Sequence, residues 1–372
     1  LVQIPDPTAT LAPSATTYTP DNLNQYDAIT VDGGDPDVPD YDLDGNMTQM
    51  ALPTEAEMAA SGDMALTWNG ENRLIAAEPA TPVDGDKKIE CAYDYMGRRV
   101  AKSVYTYNVS STAYSLQSET LFLYDGWNLI QELDGLNANA VTKSYVWGLD
   151  LSHSLQGAGG VGGLLAASDG TTTWYYCHDA NGNVGQMVAA TDGTIAAQYD
   201  YAPFGGLFHK SGTLADDNVF RFSTKYTDAE TGLVYYGYRY YDAEMGRWLS
   251  RDPIGELGSY LLRRETENQE ADLNLYGFVR NDPIGLIDSF GLRTEVTLHI
   301  VGGGSIVCGT FGFAKAKSDC TNGKYYEAEY IVVGVGLNAG IDIPGELAKD
   351  VFRNTGRVIG NLSSLKGRQS FF

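Results

Sequence analysis

From residue 41 onward the chain alternates apolar or aromatic positions with polar ones over runs of roughly four to eight residues, the period-two pattern of half-buried strands. Pairs that supply the positive-φ corners of tight hairpins punctuate these runs: Asp44-Gly45, Asp84-Gly85, Asp125-Gly126, Asp169-Gly170, Asn181-Gly182 and Asp192-Gly193. Residues 121–124, before one such pair, and 171–176, after another, are the clearest strands. The pattern predicts serial β-hairpins and a mainly β fold. Helical spacing is confined to residues 53–60 and 346–352, the second preceded by Pro344 near a first-turn position. The first forty residues hold Pro5, Pro7, Pro13, Pro20, Pro36 and Pro39, which predicts an extended arm or linker without regular pairing.

A repeat underlies the hairpins. Tyr-Asp occurs at Tyr26, Tyr41, Tyr93, Tyr124, Tyr199 and Tyr241, where composition alone predicts about two occurrences. The contexts also match: Tyr41-Asp-Leu-Asp-Gly-Asn46 parallels His178-Asp-Ala-Asn-Gly-Asn183, and Tyr93-Asp-Tyr-Met-Gly-Arg-Arg99 parallels Tyr241-Asp-Ala-Glu-Met-Gly-Arg-Trp248. A Tyr at a strand end covers its neighbour while the Asp accepts backbone hydrogen bonds in the turn, so each copy stacks on the last. These residues are read as sheet builders, with no chemistry of their own.

Composition narrows the function classes. The net charge of -23 over 372 residues leaves no basic surface able to track a nucleic acid with the whole chain. The charge is uneven: residues 293–372 hold nine Lys/Arg against seven Asp/Glu, while residues 1–292 hold 16 against 41. A chemical boundary therefore falls near residue 292. Apolar runs such as 158–167 and 330–341 are short and interrupted by Gly, below the ~20 residues of a membrane-spanning helix. The start at Leu1, without Met or a signal pattern, reads as an excised piece of something longer. Cys91, Cys177, Cys308 and Cys320 show no metal-binding pairs and are read as buried thiols, with a Cys308–Cys320 bridge as the one pairing their spacing suggests.

One segment carries a longer signature: Gly232-Leu-Val-Tyr-Tyr-Gly-Tyr-Arg-Tyr-Tyr-Asp-Ala-Glu-Met-Gly-Arg-Trp-Leu-Ser-Arg-Asp-Pro-Ile-Gly255, then Asn274-Leu-Tyr-Gly-Phe-Val-Arg-Asn-Asp-Pro283 and Asp288-Ser-Phe-Gly-Leu292. With these motifs and the repeats, residues 24–292 resemble the Rhs, or YD-repeat, family of bacterial polymorphic toxins, related to the C subunits of insecticidal toxin complexes and to the teneurins. The resemblance implies a hollow β-shell wound from YD repeats, closed by a core plug, with a variable toxin held inside. It divides this chain into an arm (1–40), a shell segment (41–231), a plug (232–292) and a β-rich or α+β cargo tail (293–372). It implies no cofactor. The expected partners are the chain's own tail as cargo, an immunity protein and a secretion machine, and the expected location is secreted or cell-surface.

The resemblance also implies an aspartate-dependent, single-turnover self-cleavage between Leu292 and Arg293, at the charge boundary. Such chemistry wants one ionised carboxylate to activate water and one protonated carboxyl to polarise the carbonyl. Asp252 is the expected base, Arg251 the candidate for holding it ionised, and Asp272 or Asp288 the partner acid. Glu256 stands where many relatives have Leu, the stretch 257–271 is longer than usual, and Ser289 replaces the usual Pro. Asp282-Pro-Ile-Gly-Leu286 mimics the cleavage motif inside a different segment and is read as a decoy. The rival reading is a structural or adhesion-type surface protein whose plug does not cut.

The tail shows alternation at 295–301 and 325–335 and a Gly302-Gly-Gly304 turn, with no GK[ST] to make a phosphate loop. His299 is read as a structural strand residue, and Glu327 and Glu329 share a strand face, as paired acids or as an exposed face. No catalytic set is recognisable there.

Overall fold

The computed structural model describes residues 15–60, 62–253 and 274–292, with the backbone of three later strands, 295–299, 311–318 and 326–333. Its main body is one antiparallel sheet of fourteen strands, from β3 (Asp40–Tyr41) to β16 (Leu207–Ser211), each beside the next in sequence. The repeated turn explains this order. Asp42, Asp94 and Asp179 each accept through Oδ1 the backbone N–H four residues on, at 2.8, 2.9 and 2.9 Å. The glycine three residues on closes the turn at positive φ, as at Gly45 (82°), Gly97 (80°) and Gly182 (75°), a conformation that costs glycine nothing.

The aromatic residue ending a strand then reaches back to a carbonyl at the start of the strand before it. Trp68 Nε1 donates to Met47 O (2.6 Å), Tyr93 to Leu74 O (2.6 Å), Tyr124 to Arg99 O (2.9 Å), Trp147 Nε1 to Leu129 O (2.7 Å) and Tyr201 to Val184 O (2.9 Å). Each of these bonds ties a hairpin to its predecessor, through Tyr93 and Tyr124 of the Tyr-Asp pairs and through Trp68, Trp147 and Tyr201 outside them.

The sheet curls round the aromatic stretch that follows it. Met47, opening β4 (Met47–Ala51), donates its N–H to Leu249 O at 2.9 Å, and Val184, opening β14 (Val184–Ala189), donates to Arg221 O at 3.1 Å. Ten strands apart, these points would lie roughly 48 Å from one another in a flat sheet. Lys210 on β16 meets Glu55, beyond β4, at 2.5 Å, so the two ends of the sheet approach each other. Inside the curl sit four short strands, β17 (Tyr226–Thr227), β18 (Val234–Tyr235), β19 (Tyr240–Asp242) and β20 (Arg247–Trp248). Leu233, Tyr235, Tyr240 and Leu249 join Met47, Met64, Leu74 and Ile89 of the sheet in one core. Phe222, Tyr236, Tyr241, Trp248 and Phe278 form a second core within the plug.

A buried ionic knot fastens the stretch inside the curl to the sheet. Asp228 meets Arg99 at 2.5 Å and Lys102 at 3.2 Å, and Lys102 meets Glu230 at 2.8 Å. Burial pushes the Asp228 carboxyl up, and the two cations more than offset it, leaving it below its ordinary value.

Three expectations need correction. Residues 53–60 form turns: the Glu57 N–H goes to Ala229 O (2.8 Å) and Met58 O to the Lys87 N–H (2.7 Å), so tertiary bonds displace the helix. The arm pairs regularly where described, β1 (Thr16–Pro20) lying antiparallel to β2 (Tyr26–Val31) with Pro20 only at the strand end. Cys91 is buried but Cys177 is exposed, because neighbours on a strand face opposite ways and Tyr176 takes the inner position. Among the described residues there is no α-helix, and none long and apolar enough to cross a membrane. The 346–352 helix, the Gly302 turn, Cys308 and Cys320 lie outside the described residues. The alternation at 295–301 and 325–335 coincides with β22 (Glu295–His299) and β24 (Tyr326–Val333).

Candidate functional site

The segment Asp288-Ser-Phe-Gly-Leu292, where the sequence predicts cleavage, begins at the end of β21 (Leu286–Asp288) and leads toward β22, which pairs antiparallel with it so that Asp288 stands opposite Glu295. The bond between Leu292 and Arg293 therefore lies in the connection between two hydrogen-bonded strands. Asp288 organises the turn: its Oδ1 accepts the N–H groups of Phe290 (3.1 Å), Gly291 (2.7 Å) and Leu292 (3.0 Å). The intervening carbonyls are held from outside. Lys225 Nζ donates to Ser289 O (2.6 Å), the Tyr238 N–H to Phe290 O (3.0 Å) and Arg239 Nε to Gly291 O.

Arg239 joins the two expected acids. Its Nη2 lies 3.1 Å from Asp252 Oδ2 and 3.6 Å from Asp288 Oδ2, while Nη1 donates to Leu275 O at 3.1 Å. Its guanidinium stacks over Trp248, 4.2 Å from the ring centroid. Asp252, just after β20, is fixed by its own N–H to Leu275 O at 3.0 Å. Both carboxylates are buried. Burial pushes Asp288 up to about 7; the Arg239 guanidinium opposes the rise and the negative Asp252 adds to it. Near neutrality the pair thus contains one carboxyl that readily keeps its proton.

Asp252, distant in sequence, is brought to Asp288 and Leu292 through Arg239. Asp272 and Arg293 lie outside the described residues. Arg251 lies over the Gly45 turn, where a Cβ on Gly45 would meet both its guanidinium and the Tyr276 hydroxyl; Arg239 is a cation on Asp252. Arg239 and Lys225 were not anticipated. Each is a lone cation in an aromatic stretch, Tyr238-Arg-Tyr-Tyr241 and Phe222-Ser-Thr-Lys-Tyr226, and a buried cation must find a partner, which was the available signal. Asp282 is a turn residue, accepting the Gly285 N–H at 2.9 Å.

Residues 159–284 match the family model described as Teneurin YD-shell. The chain is 25% identical over 270 residues to Double-stranded DNA deaminase toxin A of Burkholderia cenocepacia (strain H111), covering 70% of this chain and 17% of that protein. It is 41% identical over 101 residues to Toxin subunit YenC1 of Yersinia entomophaga, covering 26% of this chain and 9% of that one. Among solved structures it is similar to the crystal structure of TcdB2-TccC3, with 22% identity, a TM-score of 0.45, and coverage of 74% of this chain and 16% of that one. The chain spans less than a fifth of the length of these relatives.

Proposed function

The chain belongs to the Rhs, or YD-repeat, family, whose relatives include toxins, and on that premise we propose that it is the C-terminal part of a polymorphic toxin that encloses its own tail and cuts it free after Leu292. One observation carries the reading: Asp252 and Asp288, both against Arg239, converge on the turn that delivers Leu292. Asp252, paired with Arg239, takes a proton from water. The resulting hydroxide attacks the Leu292 carbonyl carbon, and Asp288 gives its proton to the carbonyl oxygen. Collapse of the tetrahedral intermediate breaks the C–N bond, the Arg293 nitrogen leaves with a proton, and Leu292 ends as a carboxylic acid.

The tail from residue 293 is the cargo, an immunity protein and a secretion machine are its partners, and the product is secreted or displayed at the cell surface. The pairing of β21 with β22 supports retention of the cut tail until it is unzipped. Intact mass of the purified chain tests the reading: two masses summing to the chain plus one water, divided at Leu292, that co-elute under native conditions. Asp252→Asn leaves one mass, because an amide cannot serve as the base. Asp288→Asn slows the cut and removes the fall in rate above pH ~7. An uncut wild-type chain overturns the proposal in favour of a surface protein with a static plug. Growth arrest on expressing residues 293–372 in the bacterial cytoplasm or periplasm tests the toxin assignment separately.

A further inference from the structure

Between β11 (Ala140–Trp147) and β12 (Leu164–Ser168) the regular meander is broken by a glycine-rich loop, residues 148–163. The loop is built round one buried carboxylate. Asp150 accepts the Ser152 N–H (2.9 Å), the Ser152 hydroxyl (2.6 Å), the Ala158 N–H (2.7 Å) and the Gly160 N–H (3.1 Å). This scaffold presses Gly159 (φ 64°) against the cleavage motif so closely that a Cβ there would run into the Ser289 carbonyl. The buried Lys225 ammonium bridges the two, donating to Gly159 O and to Ser289 O at 2.6 Å each.

The chain strains itself to deliver that ammonium. Ser223 and Thr224, just before Lys225, both have positive φ, 50° and 52°, a conformation that strains a non-glycine residue and persists only where the surroundings enforce it. They are enforced: the Ser223 N–H donates to Asn183 Oδ1 (2.8 Å), the Thr224 hydroxyl to Gly182 O (2.6 Å), and the loop's Gly162 N–H to Thr224 Oγ1 (2.9 Å). Burial pulls Lys225 down to about 8, against Asp288 and Asp150, which favour its charged form. A cation kept at that cost has no exposed role, and its ring neighbours are Tyr236 and, within the motif, Phe290.

We propose that Lys225, backed by the 148–163 loop, is a positioning residue that clamps the Ser289 carbonyl and so holds the 288–292 turn over the acids. The inference rests on the cleavage reading for its purpose, but the clamp can be tested without it. In the full chain carrying Asp252→Asn, which stays whole, deuterium exchange of a peptide spanning 286–292 should quicken at least tenfold on adding Lys225→Met, and a β8 (Arg99–Asn108) peptide should not change. Gly159→Ala, whose Cβ would press on the Ser289 carbonyl and crowd the Lys225 ammonium, should loosen the same peptide with the lysine still present in the chain. In the otherwise native chain, followed by intact mass after a pulse of cell-free synthesis, Lys225→Met should slow the cut tenfold or more and Lys225→Arg should recover most of the rate. Unchanged exchange in 286–292 overturns the clamp, whatever happens to cleavage. A native chain that never cuts but loosens with Lys225→Met defeats the protease reading and leaves the clamp standing.

Discussion

Along the fourteen-stranded sheet the strand ends are tied by neutral groups, a backbone carbonyl capped by one aromatic side chain, whereas the ties that join the sheet to the stretch inside it, residues 220–252 and 274–292, or that lie within that stretch, include whole buried charges. Arg99 and Lys102 meet Asp228, Arg239 meets Asp252 and Asp288, and Lys225 meets two carbonyls. The two solutions fail differently. Losing a capped carbonyl leaves one neutral group unsatisfied, while losing one member of a buried ionic knot leaves a charge in a low-dielectric interior. The repeat can therefore tolerate degenerate copies, and the inner stretch cannot.

The largest expected effect tests that contrast directly. Asp228→Ala strands Arg99 and Lys102, both buried, and should cost about 3–5 kcal/mol in equilibrium urea unfolding. Asp228→Asn, which keeps the shape but not the charge, should cost a similar amount. If either variant loses under about 1 kcal/mol, the knot is not what fastens the inner stretch to the sheet.

The same contrast explains what could be read from the chain. The meander was legible because its information is local: an aromatic ring, an Asp and a Gly three residues later recur at Tyr41-Asp42-Gly45, Tyr93-Asp94-Gly97 and His178-Asp179-Gly182. The candidate acids were legible through motif position, since Asp252 and Asp288 sit in the quoted signatures. Arg239 lies inside the same signature as Asp252, but its role was not legible, because its link to Asp252 spans thirteen residues and its link to Asp288 forty-nine, and no period reports a contact made once. Lys225 was hidden for the same reason, as was the loop around Asp150, whose glycines resemble an apolar run interrupted by turns. Residues 53–60 misled because their helical spacing reflects burial of Met58, while their backbone partners come from the stretch inside the curl and from β7 (Lys87–Tyr93).

A smaller effect separates the regions by pH. Asp288 at about 7 and Asp242 at about 6 are both raised, chiefly by burial. Between their unfolded values near 4 and those folded values, the native state binds extra protons, so their contribution is complete below pH ~4 and is lost as pH rises through 6 and 7. Lys225, lowered to about 8 by burial, acts in the opposite sense: the unfolded chain binds the extra proton between about 8 and 10.5, so stability climbs again across that window. The unfolding free energy should therefore pass through a minimum near pH 7–8. Asp288→Asn should flatten the descent between pH 6 and 7, and Lys225→Met the recovery. A monotonic profile that neither variant alters would mean that the buried charges of the inner stretch do not set its pH response.

The smallest effect belongs to the sheet. Tyr124→Phe and Tyr201→Phe each delete one hydroxyl donated to a single strand-start carbonyl, and each should cost about 1 kcal/mol by urea unfolding. Their strands, β9 (Ala113–Asp125) and β15 (Ile195–Tyr201), lie six apart in the meander, roughly 29 Å in an extended sheet, so the double variant should show the simple sum. Tyr93 is different: its hydroxyl donates to Leu74 O and also lies 3.0 Å from the hydroxyl of Tyr240, a plug residue that accepts from Arg99 at 3.2 Å. Tyr93→Phe and Tyr240→Phe should therefore be coupled by 0.5 kcal/mol or more, on the order seen for residues sharing one network. Additivity within the sheet and coupling across the boundary would place the change from local to networked satisfaction at Tyr93. Coupling between Tyr124 and Tyr201 would show instead that the sheet, too, is stabilised as a network, and the contrast between the two regions would fail where the repeat is most regular.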